Sequence, residues 1–205
     1  MSSKKKIIIS LSALALVIVA AVVAVVADLA AQNVTLQSNI SISYTVTDVA
    51  ADVEVYAIKI GNGQTGTINW GTGKKAEFDV NGYKSGTGVT GTVGDDSATV
   101  DTTNFDLSKN DCVILKFVFN NNSANAFTAS LTTIDTSGKN VNIYYSNTET
   151  GLTSITSGAY SDVTVAAGVD KTNTCYVRIA IADPTQIVNF EPSFVWTLTG
   201  ANSNS

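Results

Sequence analysis

Histidine is absent from the 205-residue sequence, and arginine occurs once, at Arg178. Without histidine the chain can contain neither a Ser-His-Asp nor a Cys-His nucleophile system. The usual zinc sites need histidine or four cysteines, and this chain has two cysteines. The sequence therefore indicates no catalytic residue, no metal ligand and no cofactor, and we expect a protein that is not an enzyme.

Charged residues are also scarce. They make up 14% of the chain, and the formal net charge at pH 7 is −5. Nucleic-acid-binding proteins normally carry a basic stripe, so we expect no nucleic-acid partner. A hydrophobic fraction of 44% separates the chain from disordered sequences. The length fits one domain with a short appendage.

The appendage is predicted at the N-terminus. Lys4, Lys5 and Lys6 precede an uncharged apolar run over residues 7–27, which is the layout of a secretory signal. The run also reaches the roughly 20 residues of a membrane span, so it predicts either a signal peptide cleaved after Ala27 or Ala31, or a retained membrane anchor. A buried core helix is disfavoured, because the run has no polar face.

In both favoured interpretations, residues 1–27 are the signal peptide or anchor, their helix over about residues 5–27 is the one substantial helix of the chain, and the N-terminus stays in the cytoplasm. We therefore predict a secreted or cell-surface protein whose N-terminal leader interacts with the membrane and with signal peptidase. The rest of the chain, residues 28–205, is predicted to form a single domain.

The predicted domain alternates with period two, the pattern of half-buried β-strands. In residues 39–47, Ile40, Ile42, Tyr44 and Val46 share one face. Further apolar strand patterns occur at residues 53–60, 113–119, 127–131, 177–181 and 194–198.

Clusters of Gly, Asn, Asp, Ser and Thr separate these runs and indicate turns, and Asn81-Gly82 predicts a tight hairpin. No helical periodicity follows the leader. The pattern predicts an all-β fold, an antiparallel β-sandwich or jelly roll of about nine to eleven strands.

Cys112 and Cys175 each stand at the start of an apolar strand pattern. Export permits a disulfide between them. Sequence separation does not show whether their Cα atoms come within about 7 Å, so two separate buried thiols are the alternative.

Four acidic residues fall close together in a stretch rich in Gly, Ser and Thr: Asp95, Asp96, Asp101 and Asp106. Their oxygens could bind calcium, but no calcium-loop spacing is present. The favoured interpretation is solvated carboxylates in turns.

Several aromatic residues offer a binding surface: Trp70, Tyr83, Tyr144, Tyr145 and Tyr160. Exposed rings stack on sugars, whereas buried rings pack in cores, and the second role is the commoner one. Stacking of exposed rings on sugars would make the protein a carbohydrate-binding surface adhesin module that recognises extracellular glycans.

One segment carries a family resemblance. Leu107-Ser108-Lys109-Asn110-Asp111 leads into the apolar strand at 113–119, and Asn120-Asn121-Asn122-Ser123 follows. Together with the lysine-initiated leader and the last two strands, at 176–181 and 190–198, this resembles the secreted camelysin/TasA-like proteins.

The resemblance implies a jelly-roll domain of cell-surface and biofilm-matrix fibres that assemble by donating an N-terminal strand. Here residues 33–46 would be that strand, with Ile40, Ile42, Tyr44 and Val46 entering the core of a neighbouring subunit. The alternative is the first strand of the chain's own sandwich. We therefore expect a non-enzymatic extracellular structural protein that self-associates, with the carbohydrate-binding adhesin as the alternative function.

Overall fold

The computed structural model describes residues 34–35, 40–47, 50–61, 67–79, 81–95, 97–101, 106–107, 111–133, 141–181 and 193–200. All of them belong to one compact unit, Val34–Ser205. The predicted leader helix over about residues 5–27 lies outside the described residues. Within the ranges above, no helix has the length and hydropathy of a membrane span.

The described residues are mostly β-strand with almost no helix, and the predicted all-β class is confirmed. One turn of 3₁₀ helix at Trp70–Thr72 interrupts the strands. The strands are β1 (Val34–Thr35), β2 (Ile40–Thr47), β3 (Ala51–Ile60), β4 (Lys74–Asp79), β5 (Gly82–Thr87), β6 (Val89–Thr90), β7 (Ser97–Val100), β8 (Asp106–Leu107), β9 (Cys112–Asn121), β10 (Phe127–Thr133), β11 (Val141–Ser146), β12 (Val163–Val165), β13 (Lys171–Ile181) and β14 (Ser193–Gly200).

Two six-stranded sheets form a sandwich-like arrangement. Sheet 1 has the order β12-β10-β14-β2-β7-β6, and sheet 2 has the order β11-β13-β9-β3-β4-β5. Neighbouring strands are antiparallel except β2 and β14, which are parallel. A small separate ladder pairs β1 with β8.

The hairpin predicted at Asn81-Gly82 joins β4 to β5. Gly82 has a φ of 103°, in the left-handed region that glycine adopts without steric cost. A Cβ atom there would also lie 2.4 Å from the carbonyl oxygen of Asp95. Conformation and close approach therefore both require glycine at this turn.

The main core lies between the two sheets, because alternate residues of each strand point to the same face. The predicted apolar face of β9 is fully buried at Val113, Leu115, Phe117 and Phe119. Trp196 of β14 faces it from sheet 1, with ring centroids 5.0 Å from Phe117 and 4.9 Å from Phe119. These rings join the sheets at their centre.

A second apolar cluster lies on the other face of sheet 2, called here the outer face. β9 begins with residues buried on both sides, and Cys112 and Ile114 point to the outer face. The cluster is completed by residues of two neighbouring strands, β3 and β13, and of two loops: Ile60, Tyr176, Ala180, Ile68 and Leu152. The loops around residues 67–73 and 149–155 therefore pack on this face, and they build the site described next.

Candidate functional site

One row of side chains crosses the outer face of sheet 2. Strand register places Ser146, Tyr176, Lys116, Tyr56 and Lys75 opposite one another on five successive strands. Directly opposed residues share a face of the sheet and contact each other. The row therefore alternates aromatic rings with lysine ammonium groups.

Trp70, from the 3₁₀ turn, packs over this row. Its ring centroid lies 6.2 Å from that of Tyr56 and 6.0 Å from that of Tyr176. The Nζ of Lys116 lies 5.2 Å from the Trp70 centroid and 5.7 Å from the Tyr56 centroid. Both distances are within the range of cation–π attraction, so the rings hold this lysine in place.

Glu149 links the row to the loop after β11. Its Oε1 accepts a 2.9 Å hydrogen bond from the Trp70 indole Nε1, and its Oε2 accepts a 3.3 Å hydrogen bond from the Tyr176 hydroxyl. Burial, followed by the negative charge of Glu149, raises the pKa of Tyr176 to about 12. The phenol therefore remains a hydrogen-bond donor at every physiological pH.

A cavity of about 420 Å³ opens beside Glu149. Its lining comes from two loops: Thr67, Ile68, Glu149, Thr150, Gly151, Leu152 and Thr153. Ile68 and Leu152 are buried, whereas Thr67 and Thr150 are exposed. A carboxylate, hydroxyl groups and two aliphatic side chains thus surround one space.

The turn that forms one side of this cavity is held locally. The N–H of Ser154 donates a 3.0 Å hydrogen bond to the carbonyl of Gly151. Gly151 has a φ of 75°, which favours glycine. The turn fixes the backbone between Glu149 and Thr153, and so fixes the spacing of their side chains.

An ion-pair network surrounds the β4 end of this row. Lys75 Nζ is 2.7 Å from a carboxylate oxygen of Glu77 and 3.3 Å from one of Glu54, and Tyr56 donates to Glu54. The hydrogen bond between Lys75 and Glu77 lowers the pKa of Glu77 and raises the pKa of Lys75. All three charged side chains are partly exposed, so the network fixes side-chain positions and contributes little to stability.

The five aromatic residues selected from sequence do not form a single cluster. Tyr83 is buried in the main core, and Tyr145 packs on Tyr160 with ring centroids 5.4 Å apart. Tyr144 lies under the Arg178 guanidinium, at 5.5 Å. Of the five, Trp70 alone contacts Glu149 through a hydrogen bond among the described residues.

The cysteines predicted as a disulfide or as two separate thiols are free and buried. β9 and β13 pair directly, but Cys112 is opposite Ala180 and Cys175 is opposite Phe117. Five residues along β9 separate these positions, roughly 16 Å at 3.3 Å per residue. An odd separation also places the side chains on opposite faces: Cys112 belongs to the outer cluster and Cys175 to the main core. The two sulfurs therefore do not bond to each other in this structure.

The predicted assembly strand forms β2, in the middle of sheet 1. Ile42 is fully buried, opposite Ala98 of β7 and Phe194 of β14. The side chains of Ile40, Tyr44 and Val46 lie outside the described residues. In this single chain β2 completes its own sandwich; its exchange between two chains stays a prediction.

The acidic stretch contributes turns in its described part. The N–H of Tyr83 donates to the carbonyl of Asp95, and the N–H of Asp101 donates to the carbonyl of Gly88. Asp96 and the side chain of Asp106 lie outside the described residues. Across the ranges that the structure covers, no group of three Cys, Asp or Glu residues is placed to hold a metal ion.

Sequence reasoning missed Glu149 as a site residue. It lies in a polar turn without a motif, and its partner Trp70 is 79 positions away. No local pattern encodes such a contact. No family model, no curated protein and no solved structure matches this chain. Any functional conclusion therefore depends on the chain's own residues.

Proposed function

We propose that the protein is a non-enzymatic extracellular structural protein, a component of a cell surface or biofilm matrix with a jelly-roll domain of the camelysin/TasA-like kind. It self-associates into fibres by exchanging β2 between subunits. The lysine-initiated apolar leader supports export. The observation that carries the assembly proposal is the position of β2 within sheet 1.

β2 connects two parts of sheet 1 that do not pair with each other. It is parallel to β14 over Ser41–Thr47 and antiparallel to β7 over Ile40–Ser43. Without β2, main-chain N–H and C=O groups of both β14 and β7 would be unpaired, and the core would lose Ile42. A strand from a second copy would restore all of these contacts.

Such an exchange leads to a linear assembly. Each subunit gives one strand and receives one, so the contact is head-to-tail and does not need to close into a ring. Residues 48–50 join β2 to β3 in the other sheet. Four Cα steps from Thr47 to Ala51 span at most roughly 14 Å, so exchanging subunits would pack closely against each other.

A disulfide engineered between β2 and β7 tests this proposal. Ser43 and Ser97 are directly opposed in the ladder, at the spacing of a cross-strand disulfide. In fibres of the full chain carrying Ser43→Cys and Ser97→Cys, exchange would produce a ladder of covalent oligomers on a non-reducing gel. Ser43→Cys alone is the control, because it lacks the engineered partner thiol at position 97, and the native Cys112 and Cys175 are buried.

A second variant tests the apolar slot. Ile42→Asp puts a charge into a fully buried position, with a penalty of several kcal/mol, and we expect it to abolish filaments in negative-stain images. Ser43→Asp, one residue away and on the opposite face, is expected to preserve them. A wild-type chain that stays monomeric at high concentration would contradict the proposal. The proposal would also be contradicted if the chain with Ser43→Cys and Ser97→Cys formed its disulfide only within the monomer.

A further inference from the structure

The cavity beside Glu149 contains functional groups that fibre assembly through β2 does not use. Glu149 supplies a carboxylate, Thr67, Thr150 and Thr153 supply hydroxyl groups, and Ile68 and Leu152 supply aliphatic surface. A volume of about 420 Å³ lies within the range of roughly 300–1,000 Å³ found for small-molecule sites.

The Glu149 carboxylate is held in place with acceptor capacity remaining. Each oxygen accepts one hydrogen bond, from Trp70 or from Tyr176. A carboxylate offers about four acceptor positions, so two remain for a ligand. The ion pairs found among the described residues involve Asp111, Glu54 and Glu77, and none involves Glu149.

The lining discriminates between classes of ligand. The Glu149 charge repels phosphates and other anions. An apolar ligand would desolvate the carboxylate without replacing its hydrogen bonds to water. A ligand with several hydroxyl groups replaces those bonds, and the threonine side chains both donate and accept toward it.

We propose that this cavity binds one monosaccharide unit of an extracellular glycan. Two adjacent sugar hydroxyls donate to the Glu149 carboxylate, other hydroxyls pair with Thr150 and Thr153, and the C–H face of the ring packs on Ile68 and Leu152. The site is independent of β2, which lies in the other sheet, so it adds ligand binding to a structural protein.

A titration followed by NMR tests the site. The full chain, kept in solution with a sugar-free detergent, is titrated with the methyl α-glycosides of glucose, mannose and galactose, and with cyclohexanol as an apolar ring of similar size. We expect at least one glycoside to shift the amide signals of residues 149–153 saturably, while cyclohexanol does not. The proposal is overturned if no glycoside shifts these signals, or if cyclohexanol shifts them equally.

Variants then assign the contacts. Glu149→Gln keeps an oxygen that accepts from Trp70 but removes the charge, and we expect it to weaken glycoside binding about tenfold. Thr153→Val is close in shape to threonine and should weaken binding several-fold. Glu77→Gln makes the same change to a carboxylate of sheet 2 that does not line the cavity, and should bind as the wild type does.

Where Glu149→Gln disturbs the fold, visible as signal changes throughout the spectrum, the Thr153→Val result decides. Wild-type affinity in a folded Glu149→Gln chain would overturn the assignment. If Glu149→Gln does not fold, wild-type affinity in Thr153→Val would overturn the assignment.

Discussion

The indole Nε1 of Trp70 donates a 2.9 Å hydrogen bond to the Oε1 of Glu149, a residue 79 positions later in the chain. The bond ties the loop before β4 to the loop after β11, above the outer face of sheet 2. Beneath these loops lie Ile114 and Tyr176, which a bare sheet would expose to water. The same contact covers the second apolar cluster and orients the carboxylate of the proposed sugar site.

The first prediction concerns this contact. Trp70→Phe retains a ring but removes the donor, leaving the half-buried Glu149 with Tyr176 as its remaining described partner. We expect the free energy of unfolding to fall by about 1.5–3 kcal/mol, the typical contribution of a hydrogen bond to a charged group. Urea denaturation followed by fluorescence or circular dichroism measures the change.

Tyr144→Phe is the matched control for that experiment. Tyr144 lies on the same face, and its ring keeps the Arg178 contact after the substitution. We expect a change within about 0.5 kcal/mol. Equal losses in Trp70→Phe and Tyr144→Phe would show that the indole N–H contributes nothing specific.

The strands themselves could be predicted from sequence, because alternation is a local property. The pattern at residues 39–47 became β2 at Ile40–Thr47, and the run at 53–60 lies within β3 at Ala51–Ile60. The hairpin near Asn81-Gly82 was also predictable, since this dipeptide is a local turn signal. Its register was not, because Gly82 pairs with Asp79 as the first residue of β5.

Strand order and the candidate site could not be predicted in the same way. Nothing in β2 or β14 alone specifies that they pair in parallel, because both alternate equally well and the choice depends on the whole sheet. The faces of Cys112 and Cys175 depend on the register between β9 and β13, which is also non-local. The cavity beside Glu149 forms only after two distant loops have packed on the sheet.

The second prediction concerns Asn121, a fully buried polar residue at the end of β9. Its Nδ2 donates to the carbonyls of Asn125 and Ala166, at 2.7 and 2.8 Å, and its Oδ1 accepts from the backbone and hydroxyl of Ser123. Asn121→Ala would remove all four hydrogen bonds and leave a cavity in place of a fully buried amide, while the Ser123 hydroxyl still donates to the Asn125 carbonyl, at 3.0 Å. We expect a loss of roughly 2–4 kcal/mol in the free energy of unfolding.

Asn122→Ala provides an adjacent control with the same chemical change. Asn122 is exposed, and we expect its substitution to change stability by less than about 0.5 kcal/mol. Chemical denaturation of the two variants side by side measures the difference. A loss in Asn121→Ala no greater than that in Asn122→Ala would contradict the assigned role of the buried amide.

The third prediction is a decline of stability in alkali that depends on Cys175. Burial raises the pKa of this thiol from its ordinary value of 9.0 to about 12, because the thiolate is poorly solvated in the core. Burial likewise raises the pKa of Tyr145, from 10.0 to about 12. Between these values the folded chain binds more protons than the unfolded chain does. The free energy of unfolding therefore falls as the pH rises above 9, by up to about 1.4 kcal/mol per pH unit for each such proton.

Cys175→Ala isolates the contribution of the thiol. The variant loses the share of Cys175 in the decline that begins near pH 9, while burial also raises the pKa of Cys112, which keeps its own share. The slope of the variant's unfolding free energy between pH 9 and pH 10 should therefore be shallower than that of the wild type. Val177→Ala, the next residue on the same buried face of β13, is the control. It removes volume but no titrating group, so it should lower stability equally at every pH and retain the wild-type slope. Urea titrations from pH 7 to pH 10 give both quantities. An unchanged slope in Cys175→Ala would mean that the thiol loses its proton as readily in the folded chain as in the unfolded one, contrary to its burial in the main core.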